Sequence, residues 1–335
     1  MDQHVEPGAG SFFMADIRSK RPTRRRAVAV GEIEVGPVVF PLMVERRLPK
    51  GDALAMAEMA GLQGTKLASL LMPLCHPLTL EMVRLRTRAV PERHAIRVYC
   101  EVATEARTGV EMEALAGVNA ALLTLYDLSK PVEPALTIGA VRLLFKEGGK
   151  RGLWRHPDGM DAEELAHYRP SGPPRLDGVR AAVLTVSDRA VSGAYEDRSG
   201  PVLVEGLRNL GAELAEAEVL ADDPAPLIAR IRALAGEGVA LVLCTGGTGL
   251  GPRDHTPEAL AALGGRDVPG LAEMFRVQSS FHTPLAWLSR ASAVQLDGCL
   301  VLAVPGSPRA AAQAFDILAP VLAHALAMVA GKAHP

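Results

Sequence analysis

Three groups of side chains in this chain have the types and spacing to do chemistry. The first is "LMPLCHPL", where Cys75 abuts His76 between Pro73 and Pro77. Both are metal ligands and catalysts by type. Neighbouring side chains of an extended segment point to opposite sides, so the pair is poorly placed to share one metal or to act as nucleophile and base. Cysteine is among the most buried residue types. That assigns Cys75 inward and presents His76, whose structural and functional readings both stay open. The second group lies on a helical run. Glu111 and Glu113 flank Met112 at its start, where carboxylates suit the helix dipole, and Asp127 and Lys130 stand three apart near its end. As a solvated ion pair, Asp127 and Lys130 would contribute at most about 1 kcal/mol and need no function. Lys50 precedes Gly51 and Asp52 at another helix start, and Lys146 leads into "EGGK".

The third group is "VLCTGGTGLGPRDHTPEAL". Thr245 to Gly249 form a glycine loop at the end of a short apolar run. Gly246, Gly247, Gly249 and Gly251 let main-chain N–H groups approach a phosphate or carboxylate closely. No Lys-Ser/Thr follows, so this is not a Walker A loop, and the spacing is not the dinucleotide fingerprint. By glycines alone, a tight turn and a phosphate cradle are both open. Asp254 follows the loop, and Asp222 stands in "LADDP" after another strand. Two carboxylates converging on a phosphate-sized pocket are a common way to hold magnesium on a nucleotide. In "VPGSP", Ser307 precedes a helix, whose N-terminus favours an anion.

The elements that must position these groups fall into two sets, as expected for 335 residues. Residues 1–13 carry Gly, Pro and charge without periodicity and are expected to be mobile. From residue 14 to 156 an α+β domain is expected. A helix runs from Gly51 to Met72, capped by Asp52. "MVRLRTR" and "AIRVYCEV" form a hairpin, with Ile96, Val98, Cys100 and Val102 facing a core and Arg97, Tyr99 and Glu101 facing out. A long helix spans about Gly109 to Lys130, and "LTIGAVRLLFK" is a last strand. Residues 157–177, rich in Pro and Gly, read as a linker. From residue 178 to 335, continuous apolar runs such as "AAVLTV" and "VALVLC" alternate with helices, which indicates a doubly wound, mostly parallel α/β sheet.

Composition bounds the rest. Hydrophobic residues make up 48% and aromatics 4%, so the cores are built from Ala, Val and Leu. The net charge of −2 gives no global field for nucleic acid or an anionic membrane. The basic run "RSKRPTRRR", Arg18 to Arg26, is local, and its charge pattern favours a solvated patch over a phosphate site. No signal peptide or uninterrupted transmembrane run is seen. The four scattered cysteines fit a reducing, cytoplasmic setting.

Two resemblances cover most of the chain. "KGDALAMAEMAGLQGTK", "LMPLCHPL", "TGVEMEAL", "LYDLSKPV" and "VRLLFKEGGKRG" together resemble the cyclic pyranopterin monophosphate synthase family over about Met14 to Gly152. This implies conversion of a cyclic dihydroguanosine triphosphate to a pyranopterin with a cyclic phosphate, releasing pyrophosphate, on a ferredoxin-like antiparallel sheet with helices. Lys50, His76, Asp127, Lys130 and Lys146 fall on the family's functional positions. Asp127 with Lys130 is expected to transfer protons, while Arg25, Cys75, Glu111, Met112 and Glu113 would contact substrate. Phe13 before "MADI" and the segment "QGTKLAS" depart from the family pattern at the pocket rim.

"TVSDRAVSGAYEDRSGP", "TGGTGLGPRDHTPEA", "PGLAEMFR", "LSRASA" and "VPGSPRA" resemble the molybdopterin-binding family that includes the molybdopterin adenylyltransferases. This implies AMP transfer from Mg-ATP to molybdopterin, with Asp222 and Asp254 as the functional and magnesium-holding aspartates. Thr245, Gly246, Gly247, Thr248, Gly249 and Ser307 would hold the pterin ligand and its phosphate, with Ser187 and Asp188 at the pocket edge. Some relatives of this fold bind molybdopterin without adenylylating it. No tightly bound prosthetic group is implied. Both families form assemblies of three-fold symmetry, the first with sites between subunits, so a homo-oligomer with a subunit number divisible by three is expected.

Overall fold

The computed structural model describes residues 12–149, 151–172 and 174–331. Of the terminal segment expected to be mobile, residues 1–11 lie outside the described residues. The chain divides into two compact units between Gly172 and Pro173.

The first unit contains β1 (Thr23–Glu34), α1 (Gly36–Val44), α2 (Ala53–Lys66), α3 (Ala68–Leu71), β2 (Met82–Val90), β3 (Ala95–Ala106), α4 (Glu111–Ser129), β4 (Thr137–Glu147), β5 (Trp154–Arg155) and α5 (Ala162–Tyr168). Its sheet is antiparallel in the order β2-β3-β1-β4-β5. The α+β expectation is correct. The single helix expected from Gly51 to Met72 is instead two, interrupted at Leu67.

Helices α2 and α4 cover one face over Ala27, Ala29, Ile33, Val98 and Cys100. They approach each other through glycine. A Cβ on Gly64 would sit 2.4 Å from the Ala120 Cβ, and one on Gly117 would sit 2.3 Å from the Thr65 Oγ1. That closeness fixes the rotation of α4 and therefore where its functional side chains emerge.

The opposite face corrects the half-buried reading of β3. Tyr99 is fully buried, and it joins Val28, Val30, Leu144, Phe145 and Tyr168 in a second cluster. The cover is α5, which lies inside the segment expected to be linker. Asp161 and Glu164 form a capping box, each side chain bonding the other's main-chain N–H at 2.8 and 2.9 Å. Tyr99 donates its hydroxyl to Glu164 (2.9 Å), and Arg88 binds Asp161 (2.8 Å) and Glu163 (2.7 Å). In the full chain, Tyr168→Ala is expected to destabilise the first unit by about 3 kcal/mol, the usual scale for a buried aromatic truncated to alanine. A denaturant melt would show this as an earlier first transition. An unchanged melt would make residues 157–172 a plain linker.

The second unit contains β6 (Arg180–Val186), α6 (Asp188–Val191), α7 (Ser199–Asn209), β7 (Glu213–Leu220), α8 (Pro224–Gly236), β8 (Leu241–Thr245), α9 (Thr256–Ala262), β9 (Arg266–Asp267), α10 (Pro269–Ser280), β10 (Ser292–Leu296), β11 (Cys299–Val304) and α11 (Pro308–Val329). The strand order is β7-β6-β8-β11-β10-β9, parallel through β11 and antiparallel beyond. Alternate residues of the inner strands enter separate cores. Ala181, Val183, Leu241 and Leu243 pack with residues of α7, α10 and α11. Ala182, Leu184, Val242 and Cys244 pack with those of α8 and α9. The doubly wound expectation is therefore correct. By length and composition, α11 is apolar enough to cross a membrane, although Asp316 and His324 interrupt its apolar run. Its Ala311, Ala314, Ile317, Leu318 and Leu322 are buried in the core.

Candidate active sites

In the first unit, α4 carries functional positions at both ends. At its start, the Lys146 Nζ lies 3.5 Å from the Glu111 Oε1. Arg25 donates from Nε to the Ala106 carbonyl (3.3 Å), and its guanidinium packs on the "GG" turn after β4. Gly149 has φ +70°, and a Cβ there would fall 1.9 Å from the Arg25 Nη1. The basic run is thus split by strand alternation. Arg25 faces this cluster, while Arg26 crosses to the other face and bonds Glu101 at 2.7 Å.

Glu113 is buried, and its Oε1 lies 3.7 Å from the Cys75 Sγ. Its Oε2 has no hydrogen-bond partner among the described residues. Burial, helped by the charge of Glu111, raises the Glu113 pKa. Burial also raises that of the Cys75 thiol, with Glu113 adding to it. Cys75 does turn inward, onto a carboxyl group, and the adjoining His76 is half-buried.

At the far end of α4, Asp127 is held by two lysines. Lys130 reaches its Oδ1 at 2.7 Å and Lys50 its Oδ2 at 3.1 Å. Hydrogen bonds from Lys130 first, then Lys50, hold the Asp127 pKa below the usual carboxylate range, and Asp127 in turn raises that of Lys130. Within the single chain this ion pair keeps both groups charged, a state suited to binding charge rather than exchanging a proton. Glu113 and Asp127 are separated by about 21 Å of helix rise. A single chain therefore brings together Arg25, Cys75, Glu111, Glu113 and Lys146 at one end, and Lys50, Asp127 and Lys130 at the other. It does not join the two. Met112 is exposed beside the first cluster.

In the second unit, a cavity of about 770 Å³ opens beyond the carboxyl ends of the parallel strands. Ser187, Asp222, Thr245, Gly246, Gly247, Thr248, Gly249, Asp254 and Ser307 all line it. The loop conformation requires its glycines. Gly246 has φ +105°, and a Cβ there would lie 2.2 Å from the Val186 carbonyl oxygen. Asp254 turns back on the loop, where its Oδ2 accepts from the Gly251 N–H at 2.8 Å. Asp222 and Asp188 exchange reciprocal bonds, each carboxylate accepting the other's main-chain N–H at 2.9 Å. Asp188 is thus a brace for Asp222 rather than part of the cavity wall. Ser307 caps α11 by accepting from the Ala310 N–H (3.2 Å).

Asp197 and Arg290 lie in the segments "TVSDRAVSGAYEDRSGP" and "LSRASA" but were not among the expected site residues. Asp197 lines the cavity and accepts from the Ser199 and Gly200 N–H groups (2.9 and 3.0 Å) and from the Thr185 hydroxyl (2.7 Å). An Asp just before "RSG" at a helix start was its signal. Arg290 stands outside the cavity and donates to three partners. Its Nε reaches the Gly249 carbonyl (2.7 Å), and its two terminal nitrogens reach the Asp254 carbonyl and the Glu258 carboxylate. Among the described residues, no group of three or more His, Cys, Asp or Glu could hold a metal. Magnesium brought by a nucleotide keeps phosphate and water ligands and needs only one or two carboxylates. Asp222 and Asp254 both line the cavity and would meet that requirement.

Residues 14–149 match the MoaC family, and residues 182–324 match the probable molybdopterin binding domain. Over 321 residues, 96% of this chain and 98% of the relative, the sequence is 45% identical to a molybdenum cofactor biosynthesis bifunctional protein from Synechococcus elongatus. The chain belongs to the bifunctional molybdenum cofactor biosynthesis proteins. A second bifunctional relative, from Chlorobaculum tepidum, is 37% identical over 97% of both chains. The first unit alone is 41% identical to a cyclic pyranopterin monophosphate synthase from Pelotomaculum thermopropionicum, over 43% of this chain and 85% of that one. Each match to a single-function family thus falls within one compact unit of this bifunctional chain.

Proposed function

We propose that the first unit converts a cyclic dihydroguanosine triphosphate to cyclic pyranopterin monophosphate, and that the second transfers AMP from Mg-ATP to molybdopterin. The observation that carries the first reading is the division of charge along α4. Lys50 and Lys130 present cations around an ionised Asp127, suited to a triphosphate, while Glu113 keeps a buried carboxyl of raised pKa, suited to proton transfer. A working site needs both. A second copy that sets its Lys130 end against the Glu111 end of the first supplies them, in line with the expected three-fold oligomer with shared sites.

The second reading is carried by Asp222 and Asp254 lining the same cavity as the whole glycine loop. The loop's main-chain N–H groups suit a phosphate, and the carboxylates suit its magnesium. The competing reading is a molybdopterin-binding module without AMP transfer, in which Asp222 and Asp254 only brace the turns they bond, at Asp188 and Gly251. Supplying the cyclic triphosphate alone, and separately molybdopterin with Mg-ATP, tests both. Pyrophosphate with cyclic pyranopterin monophosphate is expected from the first mixture, and adenylylated molybdopterin from the second. Molybdopterin binding with no adenylylated product would leave the competing reading standing.

Arg290 sharpens the second reading. It acts through the loop, as a positioning residue, because two of its three donors hold the main chain at Gly249 and Asp254 and the third is anchored on Glu258. Lysine keeps the charge but has no planar fork. Arg290→Lys is therefore expected to slow AMP transfer at least about ten-fold, the scale of one lost charge-assisted bond. Added guanidinium should partly restore an Arg290→Ala variant. An Arg290→Lys enzyme with the wild-type rate would remove Arg290 from this role.

A further inference from the structure

Beside the second unit's cavity, α6 and the segment that leads into α7 gather two arginines, Arg189 and Arg198, on one ring. The Arg189 guanidinium carbon lies 5.4 Å from the centroid of Tyr195, and that of Arg198 lies at the same distance. The two cations are therefore within twice that distance of each other. The Tyr195 N–H closes the turn on the Arg189 carbonyl (3.0 Å), with Gly193 at φ +72° inside it. Tyr195 itself lines the cavity together with Asp222, Asp254 and the glycine loop.

What makes this group unusual is its charge. Neither guanidinium pairs with a carboxylate among the described residues, and both side chains are exposed. The nearby acids are used elsewhere or turned outward. Asp197 accepts its bonds from Thr185, Ser199 and Gly200. Asp188 holds Asp222 and is paired with Arg253 (3.2 Å). Glu196 is exposed between the two arginines in sequence. Two like charges on one aromatic ring repel each other, and the ring attracts each only weakly at an exposed site. A ligand with several negative charges, spanning both guanidinia, relieves that repulsion. Guanidinium also recognises phosphate oxygens in a bidentate way.

We infer that Arg189, Tyr195 and Arg198 form a polyphosphate-binding clamp beside the cavity, with Tyr195 as the platform that spaces the two cations. This deepens the AMP-transfer reading and rests on it for its role. There the clamp would hold the part of the nucleotide that leaves as pyrophosphate. A single phosphate group, such as that on a pterin, spans one guanidinium and gains less from the second.

The test uses the full chain and isothermal titration with inorganic pyrophosphate, inorganic phosphate and Mg-ATP in separate arms. In the Arg189→Ala/Arg198→Ala double variant, pyrophosphate and Mg-ATP are expected to bind at least ten-fold more weakly, with inorganic phosphate changed less than three-fold. Tyr195→Ala, which removes the ring that spaces the two cations, should also weaken pyrophosphate binding. Where AMP transfer is measurable, KM for Mg-ATP should rise with kcat nearly unchanged. Pyrophosphate affinity unaltered in a folded double variant overturns the clamp, as does a loss confined to inorganic phosphate. Wild-type chain that transfers no AMP, yet binds pyrophosphate through these arginines, sinks the transfer reading and leaves the clamp in place.

Discussion

Two inactive variants of this chain, mixed, are expected to recover pyranopterin synthesis. Lys130→Ala removes a cation from one end of α4, and Lys146→Ala removes one from the other. Each alone should lower the rate about a thousand-fold, the upper range for deleting one group that stabilises developing charge. Both lysines are at the surface or near it, so neither change opens a core cavity. If each site takes its Lys130 end from one copy and its Lys146 end from another, random pairing of the variants leaves about a quarter of the sites intact. Co-expressing the two variants and assaying pyrophosphate release would read this directly. A mixture as inactive as its components would show that each copy builds its own site, against the separation along α4.

The second large effect lies in the other unit. Asp254→Asn preserves the shape of the side chain and an oxygen able to accept from the Gly251 N–H, but it removes the charge. On the AMP-transfer reading, adenylylation of molybdopterin is expected to fall at least about a hundred-fold, because one of the two aspartates assigned to the nucleotide's magnesium loses its charge. Pyranopterin synthesis should be unchanged, since Asp254 belongs to the other compact unit. Asp222→Asn should behave similarly and also loosen the turn at Asp188, because the two carboxylates bond each other's main chain. Rates of AMP transfer within two-fold of wild type for both variants would remove the aspartates from the chemistry.

Much of this was legible in the sequence, for a local reason. Periodicity and breakers act over a few residues, so the apolar runs of β6 and β8, the glycine turn after β8 and the long helix α4 could be read directly. The wall of the second cavity followed, because strand ends in a parallel sheet converge on one edge. Thr245 to Gly249, Asp222, Asp254 and Ser307 meet there. The start of α5 was also written locally, as Asp161 and Glu164 in a capping box, but the surrounding prolines and glycines outweighed it.

Other features depend on which segments meet, and only the tertiary structure decided those. Tyr99 alternates like an outward residue, yet it is buried because α5 folds back over it. Arg290 lies in "LSRASA", but nothing local gives it a role, because its partners Gly249 and Asp254 lie far earlier in the chain. The sequence by itself determined which residues of α4 carry charge and how far apart its ends are, since helix rise is constant. Which loops join each end was settled by packing, because the glycines of α2 and α4 hold the two helices in close contact and set the direction in which Asp127 and Glu113 leave the helix.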